Sequence, residues 1–173
     1  MLKTLKTEKN KMNIRKTEKS DIPYIMEIYK KAKAFMRDNG NRTQWDTNYP
    51  DEKLIESDIE KGNSYVCVEN GKVVGTFAFI IGEDPTYRVI ENGEWHWTIP
   101  YGTIHRIASD SETKGVSKAC FDFCGKKINC LRIDTHRDNK PMQAAVKRYG
   151  FKECGIIHIA DGSERIAYDF LVK

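Results

Sequence analysis

The chain has 173 residues, 39% hydrophobic and 31% charged, a balance that suits one solvated globular domain and excludes wholesale disorder. A chain of this size buries roughly 70% of its unfolded surface, so it needs no metal or disulfide staples to fold. The net charge of +4 is uneven: Lys3, Lys6, Lys9 and Lys11 against Glu8 put +3 on the first twelve residues, leaving +1 on the rest. That near-neutral body argues against a nucleic-acid partner, since no arginine or aromatic is interleaved with the basic tail. No apolar run reaches the ~20 residues of a membrane span. The start, MLKTLKTEKNKM, lacks the apolar stretch of a secretory leader. A cytoplasmic protein with no membrane partner is expected, with residues 1–11 a flexible basic extension and residues 12–173 a single domain.

Asn13 to Lys16 reads as a short first strand. Ser20 offers an N-cap, and Ile22, Ile25, Met26, Tyr29, Ala32 and Met36 recur at helical spacing until Asn39-Gly40. A second helix is predicted over Asp51 to Lys61. The strands Ser64 to Glu69 and Lys72 to Ile81 flank Asn70-Gly71, a strong hairpin signal. Gly82 to Pro100, with Trp95, His96 and Trp97, reads as a loop or irregular strand end, its tryptophans suited to a pocket rim or association surface.

The second half alternates strand and helix. Tyr101 to Ser109 is a strand, Lys114 to Lys127 a helix and Cys130 to Asp134 a strand, which implies a right-handed parallel pair. A helix over Asn139 to Tyr149 ends at Gly150, and strands Gly155 to Ile159 and Arg165 to Val172 meet across Asp161-Gly162. The fold class is therefore α/β, a mixed central sheet of about seven strands with flanking helices. The five cysteines (Cys67, Cys120, Cys124, Cys130, Cys154) are odd in number and form no CxxC, so buried free thiols and no metal are expected.

Chemistry concentrates in two segments. Ser109 to Ala119 joins a strand to a helix and contains Lys114, Gly115, Val116, Ser117 and Lys118. A helix start offers unpaired amides and partial positive charge to a phosphate, and glycine allows close approach. The second segment runs from Leu131 through Asn139 to Gly150-Phe151.

On the loop around Gly115, on Asn139 opening a helix that ends in Gly150-Phe151, and on the element order, the chain resembles the GCN5-related N-acetyltransferase (GNAT) family. The resemblance implies an acyl-CoA N-acyltransferase fold, with a splayed parallel strand pair holding acetyl-CoA as co-substrate. Ile107, Ala108 and Ser109 would then pair with the pantetheine, Lys114 to Lys118 would hold the pyrophosphate, and Asn139 would touch the other side. Glu112 and Ser117 depart from that family's loop pattern, so Glu112 is expected to face solvent. Val146 stands where a general-acid tyrosine is frequent, and Tyr149 reads as helix-end packing.

Ile104 and Ile107 fall out of period-2 phase, as a bulge between them would produce. Attack by an amine needs a base, and His105, with an ordinary value near ~6.5, is the candidate. Gln44, Trp45, Glu94, Asp134 and His136 are candidate acceptor-binding residues, each with a structural alternative: core packing for Trp45, structural hydrogen bonds for Asp134 and His136, solvation for Glu94. The acceptor, a small-molecule or peptide primary amine, is not named by the sequence. A non-catalytic acyl-CoA- or peptide-binding module on the same fold remains the alternative. A homodimer is the common prior for the oligomeric state.

Overall fold

The computed structural model describes residues 11–173; the expected basic extension, Lys11 apart, lies outside the described residues. The elements run β1 (Asn13–Lys16), α1 (Ile22–Asp38), α2 (Glu52–Glu60), β2 (Ser64–Glu69), β3 (Lys72–Ile81), β4 (Gly102–Ser109), α3 (Val116–Gly125), β5 (Cys130–Thr135), α4 (Lys140–Tyr149), β6 (Lys152–His158) and β7 (Glu164–Leu171). They form a seven-stranded sheet in the order β1-β2-β3-β4-β5-β7-β6, antiparallel except for the β4–β5 pair. Asn70 and Gly71 both sit at positive φ (51° and 74°), the pairing that a two-residue hairpin turn between twisted strands requires.

Alternation along β2 separates two cores. Val66 faces α1 and α2, joining Ile25, Tyr29, Ile55 and Ala108, while Tyr65 and Cys67 join Phe77, Phe121, Leu131, Val146 and Tyr168 under α3 and α4. Helices therefore cover both faces of the sheet. All five cysteines are free and buried, and burial pushes the Cys67 thiol up to about 12.

At three element starts the structure shows why the boundary departs from the sequence reading. Ser20 does not cap α1; it lies in a 3-10 turn, and Asp21 stands at the cap position. The Asp21 carboxylate serves Arg15 instead, at 2.7 and 2.9 Å, and accepts the Glu18 amide at 2.8 Å. Helix α3 starts at Val116 rather than Lys114, because Gly115 has φ 85° and cannot continue a right-handed helix. Strand β6 begins at Lys152 rather than Gly155, since Cys154 is an extra residue between the pairs Glu153–Tyr168 and Gly155–Ala167 and breaks the alternation.

The parallel ladder is short. Gly102, Thr103 and Ile104 face Leu131, Arg132 and Ile133, and no pairing continues beyond Ile104 and Ile133. On the other side of β4, Ala78 faces His105 and Thr76 faces Ala108, so Arg106 and Ile107 together oppose Phe77. Arg106 takes φ 53° at this bulge, and its guanidinium is bonded to Asp58 of α2. The bulge bends β4 away from β5 and opens a gap between the two strands.

Candidate active site

Two cavities occupy that gap and adjoin at Met36, Ile107, Asn139 and Met142, which line both. The first, about 210 Å³, lies between the end of β4 and the starts of α3 and α4. Of the residues expected to bind a cofactor, Ile107, Ala108, Ser109, Gly115, Val116, Ser117 and Asn139 line it. Lys114 and Lys118 are exposed outside its lining, and Lys118 Nζ lies 2.6 Å from Asp122 Oδ2. Glu112 is exposed as well.

The loop into α3 is shaped by Asp110, which sequence reasoning missed. Its carboxylate accepts the Glu112 amide at 3.0 Å, the Thr113 amide at 2.8 Å and the Thr113 hydroxyl at 3.0 Å. Burial opposes its charged form, but those amide bonds outweigh it and hold the carboxyl below the usual range. The first intrahelical bond runs from the Ala119 amide to the Gly115 carbonyl, so the three preceding amides have no intrahelical acceptor. Space above Gly115 is open. A helix start of this kind, with a glycine at the cap and a cleft beside it, fits a pyrophosphate.

The second cavity, about 500 Å³, is lined by Gln44, Trp45 and Tyr49 after α1, by Asp84 and Thr86, by His105 and Arg106 on β4, and by Asp134, Thr135 and Arg165. His105 Nε2 lies 3.0 Å from Asp84 Oδ2. Asp84 also accepts the Thr86 amide at 2.9 Å and hydroxyl at 2.7 Å. Burial disfavours the Asp84 carboxylate, yet His105 and the two Thr86 donors outweigh it and bring its pKa down to about 2. Asp134, beside His105, behaves oppositely: burial raises it, and it accepts the Tyr87 hydroxyl at 2.7 Å. One carboxylate is thus held charged against the imidazole while the other is pushed towards its neutral form.

Gln44 and Trp45 both line the cavity. Gln44 Oε1 accepts the side-chain amides of Asn41 at 2.7 Å and Asn139 at 2.9 Å, while Trp45 packs edge-on against Tyr29, 5.5 Å between centroids. Asn139 also caps α4, accepting the Met142 amide at 3.2 Å. Glu94 and His136 are not brought to either cavity. Glu94 is exposed on the segment that crosses to β6. His136 Nδ1 accepts the Asp138 amide at 3.1 Å, and its Nε2 lies 3.3 Å from the Thr43 hydroxyl, bracing the loop from outside. Burial and Arg165 lower its pKa. Trp95 packs in a third small core, its indole donating to the Tyr87 carbonyl at 3.0 Å. Tyr149 donates to Asp122 at 2.7 Å amid Phe121, Phe151 and Phe170, and Val146 is fully buried.

Asp84 and Arg106 carried no sequence signal. Asp84 sits before Pro85 in a segment without periodicity, and Arg106 interrupts a strand whose bulge is visible only as a phase slip.

A splayed β4–β5 pair, with a helix-start cleft on one side and a polar cavity on the other, defines the acyl-CoA N-acyltransferase fold. No family model matches the chain, and no curated protein sequence matches it. Among solved structures, it is similar to a GNAT-family acetyltransferase from Streptococcus agalactiae, at 30% identity and TM-score 0.83 over 94% of this chain and 96% of that one. A solved structure from Staphylococcus aureus shares the fold at 24% identity and TM-score 0.66, covering 92% and 99% of the two chains. A ribosomal-protein-alanine N-acetyltransferase from Brucella melitensis shares it at 16% identity and TM-score 0.59, covering 92% and 99%. The chain belongs to the GNAT family of acetyltransferases.

Proposed function

We propose that the protein moves the acetyl group of acetyl-CoA to the primary amine of a small molecule or peptide by direct attack. The carrying observation is the meeting of two cavities at the β4 bulge, one fitted to a phosphate-bearing chain and the other furnished with the Asp84–His105 pair. Bound acetyl-CoA supplies a thioester whose acyl carbon forms a bond to nitrogen as its bond to sulfur breaks.

The chain's residues do the rest. Ile107, Ala108 and Ser109 lie along the cleft wall where a pantetheine would run, and Gly115 to Lys118 form the helix start that would hold its pyrophosphate. Asp84 takes His105 Nε2, and Nδ1 has no protein hydrogen bond among the described residues. In this reading Nδ1 accepts the proton that an ammonium must lose before it attacks. Asp84 orients the ring and stabilises the imidazolium that forms. An amide at the bulge steadies the developing oxyanion, and water protonates the leaving thiolate.

Thiol release from acetyl-CoA is measured over a panel of primary amines, with His105→Ala beside the parent protein. The expected result is turnover on at least one amine, a fall in kcat of about 100-fold or more in the variant, and unchanged acetyl-CoA affinity. An unchanged pH–rate profile in His105→Ala removes His105 as the base. Binding of acetyl-CoA without turnover on any amine supports a non-catalytic binding module instead.

A further inference from the structure

A second cluster of reactive side chains lies away from both cavities, where the segment after β3 crosses β6 and β7. His96 Nδ1 is 2.8 Å from Asp169 Oδ1 and 3.3 Å from Cys154 Sγ, and the three ligand atoms all lie within 4.8 Å of one another. Both partners approach the same ring nitrogen. A relay that activates a thiol needs the sulfur on one imidazole nitrogen and the carboxylate on the other. Convergence on a single point is instead the arrangement of ligands around an ion.

The backbone is arranged to produce this convergence. Cys154 is the extra residue of the β6 bulge. The crossing segment reaches it only because two glycines lie at the contact: a Cβ on Gly93 would stand 1.8 Å from the Cys154 carbonyl oxygen, and one on Gly155 would stand 2.5 Å from that of Glu91. The His96 amide donates to Asp169 Oδ2 at 2.8 Å, which turns Oδ1 towards the imidazole. Such a bond to the far oxygen is the support that a carboxylate ligand normally has.

Asp169 is fully buried, and among the described residues only His96 lies within salt-bridge distance of it. Arg132 faces Asp169 across the ladder, but its guanidinium lies between the rings of Trp95 and Tyr101, 3.9 and 3.8 Å from their centroids. Lys152, the other neighbour in register, extends over Trp97.

The geometry points to a divalent zinc site made by His96, Cys154 and Asp169, clamping the crossing segment to the β6–β7 hairpin. A thiolate, an imidazole and a carboxylate are zinc ligands, and two anions with a neutral imidazole balance the ion's charge. Ligand atoms at ~2.0–2.3 Å from tetrahedral zinc stand about 3.3–3.7 Å apart, so the His96–Asp169 contact opens from 2.8 Å by about half an ångström and the His96–Cys154 contact from 3.3 Å by less. Binding releases the Cys154 proton to solvent, and the half-exposed His96 edge leaves water access for a fourth ligand.

Full-length protein stripped with a chelator is titrated with Zn²⁺ and, separately, Co²⁺. One equivalent of each is expected, with a thiolate-to-cobalt charge-transfer band and a higher Tm in the zinc form. Cys154→Ser is expected to lose that band, and His96→Ala to weaken zinc binding at least ~10-fold. His96→Ala, with its fold checked by circular dichroism because it removes the partner of the buried Asp169, decides the matter if Cys154→Ser does not. Absence of a saturable equivalent, cobalt binding without the charge-transfer band, or zinc affinity unchanged in His96→Ala would each overturn the site.

Discussion

Asn139 Nδ2 donates to Gln44 Oε1 at 2.9 Å, tying the loop after α1 to the start of α4 at the line where the two cavities adjoin. The bond joins residues that the sequence places almost a hundred positions apart. Gln44→Ala strips the buried Asn139 amide of its acceptor, a loss of about 1–3 kcal/mol. The 41–46 loop then loses its anchor. Thermal unfolding is expected to report that loss, and steady-state kinetics a several-fold rise in acceptor KM with acetyl-CoA KM little changed. Equal shifts in both constants would place the effect in the general fold.

The Asp84 carboxylate is held near pH 2 in the folded protein, against ~3.9 for a free aspartate. A folded value below the unfolded one gives stability that is complete above the unfolded pKa. It is lost as pH falls from about 4 towards 2. The side chain is only 16% exposed, so the contribution is on the order of 2 kcal/mol. Asp84→Asn is expected to be less stable than the parent at neutral pH by that order, with the gap closing near pH 2. Denaturant titrations at the two pH values check it, and a constant gap contradicts it.

Gly115 holds φ 85° at the mouth of the helix-start cleft, with nothing above it. Gly115→Ala costs about 1–2 kcal/mol of backbone strain and puts a methyl beside the amides assigned to the pyrophosphate. A several-fold weaker affinity for acetyl-CoA is expected by calorimetry, while acceptor KM stays within twofold.

Arg106 and Asp58 form a buried ion pair that pins the β4 bulge to α2. Removing one partner of such a pair leaves a buried charge uncompensated, typically at a cost of about 3–5 kcal/mol. Asp58→Ala is therefore expected to lower Tm by about 6 °C or more and to reduce kcat, since the bulge carries both His105 and Ile107. A variant with parental Tm would show that the ion pair does not hold the strand.

The element order and the hairpins were legible because they rest on local chemistry. Alternation marks β2 and β3, Asn70-Gly71 allows the two positive φ angles of its turn, and Asn139 caps a helix in its own segment. Where local signals compete, tertiary contacts decide between them. Ser20 looked like a cap, but Asp21 at the cap position is recruited by Arg15 from a neighbouring strand. The bulge at Cys154 disguised the first half of β6.

The candidate site divides along the same line. Gly115, Ser117 and Asn139 were readable because a helix start binds phosphate through its own backbone, within one short segment. Gln44, Trp45, His105 and Asp134 were readable as residue types able to bind or move protons, although nothing in the sequence said that they would meet. By itself the sequence determined the α/β order of elements, the turns between them and the phosphate-friendly loop, all set by interactions between residues a few positions apart. Only the tertiary structure decided that β4 and β5 part after Ile104 and Ile133, that Asp84 comes to His105, and that His136 and Glu94 stay outside. Those outcomes depend on the register of distant strands and on burial, which one residue's neighbours in sequence do not encode.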